Sequence, residues 1–178
     1  MGLRPNLTPW AIARLRPSPV RSRIKSRSKS VTESTSPCYI WNASESVPIG
    51  LYRLQPIERL TVTDLVAIRP PGPLAHFLDL NGYLLLGVPM LKRVLALPGQ
   101  TVCRTGPTIA VDNVEGQARE RDGRGRLLPV WQGCRVVAAD ELFVMNWQSE
   151  ESLDGRYFGV IPASAVIGQA LPVWTKKE

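Results

Sequence analysis

From Tyr39 onward, proline and glycine cut the chain into apolar, β-branched runs too short for ordinary helices. The runs cover residues 50–54, 65–69, 90–97, 108–111, 135–138, 142–147 and 166–174. Short strands separated by turn signals predict a mainly β, antiparallel architecture. One segment breaks the pattern: Leu74, Phe77 and Leu78 fall at i, i+3 and i+4, so residues 73–80 read as a single short helix. The charged stretch 114–129, with Asp122, Gly123, Arg124 and Gly125 in succession, reads as a mobile hairpin tip or loop. The 178 residues, 44% of them hydrophobic, are enough for one domain with a real core, placed at 37–178.

Residues 1–36 do not fit that domain. They are rich in Arg, Ser and Pro, lack hydrophobic periodicity, and bury too little apolar area to offset ordering entropy, so they read as a disordered basic arm. The arm holds the basic excess behind the formal charge of +7: residues 1–32 carry eight of the 22 basic residues and no acid, leaving 14 basic against 15 acidic residues elsewhere. A near-neutral domain excludes a nucleic-acid-binding face of the usual basic kind, and no nucleic-acid partner is expected. A non-catalytic binder of anionic surfaces or nucleic acid, driven by the arm, stays as the alternative of another class; deleting 1–36 would abolish its salt-dependent affinity. No stretch approaches the ~20 apolar residues of a bilayer span. The apolar run 83–91 is interrupted by Gly87 and Pro89.

With one histidine and three cysteines in no zinc-ligand spacing, a Cys/His metal cluster is set aside. Cys103 and Cys134 bracket the most polar stretch, and two readings stay open: a disulfide formed in an oxidising compartment, or two unpaired half-buried thiols. A Ser-His-Asp or Cys-His machine would have to be built on His76, which sits in the expected helix and reads as a surface or core-edge residue. A hydrolase here needs another base. Lysine serves when its ammonium is desolvated. In a strand, Met90, Lys92, Val94 and Ala96 share a face, which flanks the Lys92 amine with apolar groups. The competing reading is a lysine snorkelling from a sheet edge toward an acid. Ser44 and Ser46, close to Pro48 and Gly50, read by propensity alone as a turn.

The ordered motifs add a family resemblance. Asn42-Ala43-Ser44-Glu45-Ser46-Val47-Pro48-Ile49-Gly50-Leu51-Tyr52-Arg53 resembles the nucleophile box of the S26 signal peptidases, in the form found in the conjugative-transfer TraF peptidases. Thr63-Asp64-Leu65-Val66-Ala67-Ile68 is similar to the family's next strand, Leu91-Lys92-Arg93-Val94-Leu95-Ala96-Leu97-Pro98-Gly99 to its lysine box, and Ser152-Leu153-Asp154-Gly155-Arg156-Tyr157-Phe158-Gly159 to its last box. The resemblance implies a signal-peptidase-like β fold and a serine endopeptidase with no cofactor. It makes Ser46 the nucleophile and Lys92 its general base, with the Ser44 hydroxyl and the Ser46 N–H as oxyanion donors. Ser152 would orient the lysine, with Asp154 and Arg156 as supporting residues. It also implies an exported precursor such as a conjugative pilin subunit as partner, and the periplasmic face of a bacterial inner membrane as location. General and mitochondrial-type signal peptidases share the dyad; the transit-peptide-like arm favours the latter, while the Tyr52-Arg53 ending and the Cys103 and Cys134 layout favour TraF. The chain departs from the family at Met145-Asn146-Trp147, at Gly155 and at Gln100, where Gly-Asp-Asn, serine and an acid are usual; residues 1–178 show no stretch like the family's N-terminal hydrophobic anchor, so either a start other than Met1 or a soluble or degraded copy is expected.

Overall fold

The structure, a computed structural model, describes residues 38–176. The expected basic arm, 1–36, lies outside the described residues. The order of elements is β1 Cys38–Asn42, β2 Gly50–Gln55, β3 Leu65–Ile68, α1 Gly72–Leu80, β4 Met90–Ala96, β5 Thr101–Thr105, β6 Thr108–Val111 and β7 Val114–Gln117. It continues with β8 Gly133–Val136, β9 Glu141–Val144, α2 Gly155–Phe158, β10 Ile161–Pro162 and β11 Val166–Thr175. All pairings are antiparallel and form two sheets, one of seven strands in the order β1-β2-β11-β3-β4-β9-β10 and one of four in the order β7-β6-β5-β8. The fold is thus mainly β, and among the described residues α1 is the one helix longer than about a single turn. Among the described residues no helix is long and apolar enough to cross a membrane.

Side-chain alternation sorts the large sheet into two cores. On β3, Leu65 and Ala67 join Val47, Tyr52 and Leu91, whereas Val66 and Ile68 join Val94, Leu142 and Val144. A third core fills the space where the two sheets meet, with Leu95, Ala96, Val102, Ile109 and Phe143. Strand β4 supplies all three because its pairing with β9 slips between Val94 and Ala96. That bulge corrects the expected apolar face around Lys92. Met90 and Val94 do pack into one cluster, but the extra residue turns Ala96 into another, alongside Leu95.

Strand β11 runs between β2 and β3 and shifts register between Pro172 and Trp174. At that shift the backbones approach closely. A Cβ on Gly50 would stand 2.1 Å from the Trp174 carbonyl oxygen, so only glycine can begin β2 there.

The stretch 114–129 is more ordered than its composition suggests. Its first four residues are β7, paired with β6. The remainder folds back so that Leu128 N–H donates to the Glu120 carbonyl, and Ala118 and Leu128 are buried against Tyr157. The Asp122 carboxylate closes the tip, accepting from the backbone N–H groups of Arg124 and Arg126 and from the Arg126 guanidinium. Strand β5 is also absent from the sequence expectation. Its buried Arg104 breaks the apolar pattern a strand would show, yet it donates to the carbonyls of Gly106 and Arg156.

Candidate active site

Ser44 and Ser46 stand in the loop that joins β1 to β2, just past the Asn42–Gly50 pair that ends the ladder. Asn42 shapes this loop. Its buried side chain donates to the carbonyls of Ser44, Val47 and Pro48 at 2.8, 3.0 and 3.1 Å, and its Oδ1 accepts from the N–H and hydroxyl of Ser44. The Tyr52 hydroxyl adds a bond of 2.6 Å to the Pro48 carbonyl. The Ser44 and Ser46 hydroxyl oxygens are 3.0 Å apart. Asparagine at the end of a strand with serine two residues on is an Asx-turn signal, and it could have marked Asn42 in advance.

Lys92 enters from β4, where it lies opposite Val66. Only 5% exposed, it donates from Nζ to Ser152 Oγ at 2.7 Å. Burial pushes its ammonium from an ordinary 10.5 down to about 8; the Asp154 carboxylate opposes that drop and the Arg156 cation adds to it. Asn146 fixes the backbone on both sides of this lysine: its Oδ1 accepts from Arg93 N–H at 2.9 Å and its Nδ2 donates to the Leu91 carbonyl at 3.2 Å. The Asn side chain extends the ladder where β9 has ended, so Met145-Asn146-Trp147 performs a backbone-bracing task for the lysine strand.

Asp154 and Arg156 form a buried ion pair at 2.9 Å, 1% and 2% exposed. The Asp154 carboxylate caps α2 through Arg156 N–H and accepts from Asn146 N–H. The Arg156 guanidinium gathers the carbonyls of Ser149 and Ser152 at 2.6 and 3.0 Å, which fixes the segment carrying Ser152. Because Asp154 is engaged by Arg156, Lys92 is left with a neutral hydroxyl as its partner. Gly155 is a packing requirement, since a Cβ there would lie 2.6 Å from the Phe143 ring and 2.7 Å from the Val144 carbonyl oxygen. Gln100 accepts from Leu97 N–H and donates to Asp112, bracing the turn after β4.

Ser44, Ser46, Lys92 and Ser152 all line one groove of about 830 Å³, with Ile40, Trp41, Leu78, Tyr83, Leu84 and Val88 among its apolar walls. The structure therefore brings both serine-bearing segments to the lysine. Among the described residues Lys92 Nζ makes one hydrogen bond, to Ser152, and the Ser46 hydroxyl makes one, with Ser44. Exposed His76 on α1 is not among the groove residues. Cys103 and Cys134 lie outside the groove, opposite one another on β5 and β8, and are joined as a disulfide; Cys38 is exposed and free.

Residues 30–175 match the family described as signal peptidase, peptidase S26. A probable conjugal transfer protein TraF from Sinorhizobium fredii is 38% identical over 148 residues, 77% of this chain and 77% of that one. A conjugal transfer protein TraF from Agrobacterium tumefaciens is 36% identical over 152 residues, 77% of this chain and 82% of that one. A solved signal peptidase I from Enterococcus faecalis superposes with a TM-score of 0.39 and 20% identity, over 64% of this chain and 97% of that one.

Proposed function

The chain belongs to the signal peptidase S26 family, and we propose that it is a serine endopeptidase in which Ser46 and Lys92 form the catalytic dyad. The observation that carries the reading is Lys92 itself, a buried amine with a hydroxyl partner, held at about 8 on the floor of a groove whose rim bears Ser44 and Ser46. A lysine so placed is about one-tenth neutral at pH 7 and about half neutral at pH 8, where an ordinary lysine is almost wholly charged, and a neutral amine is what a general base requires.

The chemistry then runs in two halves. When substrate enters, the Ser46 hydroxyl turns from Ser44 toward Nζ and attacks the scissile carbonyl, while Lys92 takes its proton. The resulting ammonium returns that proton to the departing amine, leaving an ester on Ser46. Water, deprotonated by the same lysine, hydrolyses the ester and restores both groups. Negative charge on the tetrahedral oxygen is met by Ser46 N–H and by the Ser44 hydroxyl, once the latter leaves Asn42 Oδ1. Ser152 holds the amine in line throughout.

The substrate in this reading is an exported precursor protein, with a conjugative pilin subunit the candidate implied by the motif resemblance; the names of the TraF relatives speak of conjugal transfer. The site of action is the periplasmic face of the inner membrane. The Cys103–Cys134 bond supports an oxidising compartment of that kind. Incubation of purified protein with a pilin precursor tests the whole reading. Wild type should release the mature fragment, and Ser46→Ala and Lys92→Ala should release none while unfolding at temperatures near that of wild type. Full activity in either variant would remove the dyad.

A further inference from the structure

Strands β3 and β4 are adjacent and antiparallel, with Ile68 opposite Met90, yet the chain takes residues 69–89 to join them. Connections that long in a compact domain usually serve the site. This one carries α1 and then Tyr83, Leu84 and Val88 along one wall of the groove. Behind that wall lies a second cavity of about 240 Å³, lined by Tyr83, Arg119, Asp122, Arg126, Glu151, Leu153 and others. Tyr83, Glu151 and Leu153 border both spaces, so they form a partition one residue thick.

Tyr83 is held in that partition from three sides. Its hydroxyl donates to Asp122 at 2.6 Å, the Arg126 guanidinium covers one face of the ring at 4.3 Å, and Phe77 of α1 packs against it at 6.0 Å between centroids. Arg126 in turn bridges Asp122 at 2.6 Å and reaches the Asn81 carbonyl, so the 118–128 hairpin is latched onto the groove wall.

We propose that Tyr83 sets the size of the substrate side chain that the groove accepts, with Arg126 and Phe77 as the residues that position its ring. The proposal rests on the peptidase reading above. Removing the ring joins the groove to the second cavity and makes room for a bulkier residue. Tyr83 bonds Asp122 and makes no hydrogen bond to Lys92 or Ser152, so its removal leaves the Lys92–Ser152 bond in place.

The test is a library of quenched-fluorescence peptides of randomised sequence, digested by wild type, Tyr83→Ala, Tyr83→Leu and Tyr83→Phe, with cleaved sequences read by mass spectrometry. Tyr83→Ala should cleave peptides bearing Leu, Met or Phe at one position about tenfold or more better, relative to Ala peptides, than wild type does. Its pH profile for kcat/KM should stay that of wild type. Tyr83→Leu, which keeps apolar contact with Phe77, should shift the same position if the Ala variant fails to fold. Tyr83→Phe should keep the wild-type profile. An active wild type whose sequence profile is unchanged in Tyr83→Ala or Tyr83→Leu, or is broadened in Tyr83→Phe, overturns the role of Tyr83 alone. A wild type that cleaves no library member and no precursor overturns the peptidase reading and this role with it.

Discussion

The Lys92 amine titrates where burial puts it, and that gives two measurable signatures. The first is kinetic: kcat/KM should rise with an apparent pKa of about 8, and a rise centred at the ordinary 10.5 would contradict a desolvated base. The second is thermodynamic. The folded pKa lies below the unfolded one, so between about 8 and 10.5 the unfolded chain binds more protons and stability rises with pH. That contribution is complete above the unfolded value and lost as pH falls through the folded one. Relative to Lys92→Met, wild type should therefore gain about 3 kcal/mol across the window, measured by urea unfolding at several pH values. Taking the difference between the two proteins cancels the titration of the tyrosines. Asn146→Ala should leave Leu91 C=O and Arg93 N–H without their partner, costing about 2–3 kcal/mol and lowering kcat. The motif order pointed directly to Ser44, Ser46, Lys92 and Ser152. Asn42 stands in the nucleophile box without a role of its own although its Asx-turn signal is legible, and Asn146 stands only as a departure from the family, since the backbone groups it holds are not displayed by sequence patterns. Arg156 was legible as a supporting residue, but the carbonyls it gathers were not.

At the level of elements, runs of apolar and β-branched residues revealed most of the strands and missed three whose runs are broken by polar, charged or exposed aromatic residues. Strands β2, β3, β4, β6 and β11 match the expected runs to within one or two residues. Strand β8 was expected about two residues too late and β9 about three too long, because loop residues beyond each carry similar apolar side chains. Strand β1 hides behind exposed Tyr39 and Trp41, β5 behind buried Arg104, and β7 behind the charge of the stretch that follows it. The bulge in β4 was invisible because it depends on where Val144 and Phe143 pair, a property of two strands together. Helix α2 depends on Gly155, and Gly155→Ser should destabilise the protein by about 2–3 kcal/mol in denaturant titration, as overpacking against Phe143 and the Val144 carbonyl predicts. The disulfide ties β5 to β8 across 31 residues of sequence. Replacing both cysteines by serine should cost about 3–4 kcal/mol in the loop-entropy account, seen as an earlier urea midpoint in the double variant.

For the whole molecule, a mainly β architecture was readable from the chain, whereas the order of its strands was not. No local signal says that β11 belongs between β2 and β3. That placement divides the groove's chemistry by time as well as space. The hairpin bearing Ser46 ends at Gln55 and the strand bearing Lys92 pairs with β3, and β11 is the seam through which the two halves of the sheet are hydrogen-bonded. A ribosome has made Ser46 and Lys92 long before it makes Val166. Until then they sit on pieces of unfinished sheet with no fixed distance between them. In the peptidase reading, the groove is therefore assembled only when the strand that follows the others closes the seam.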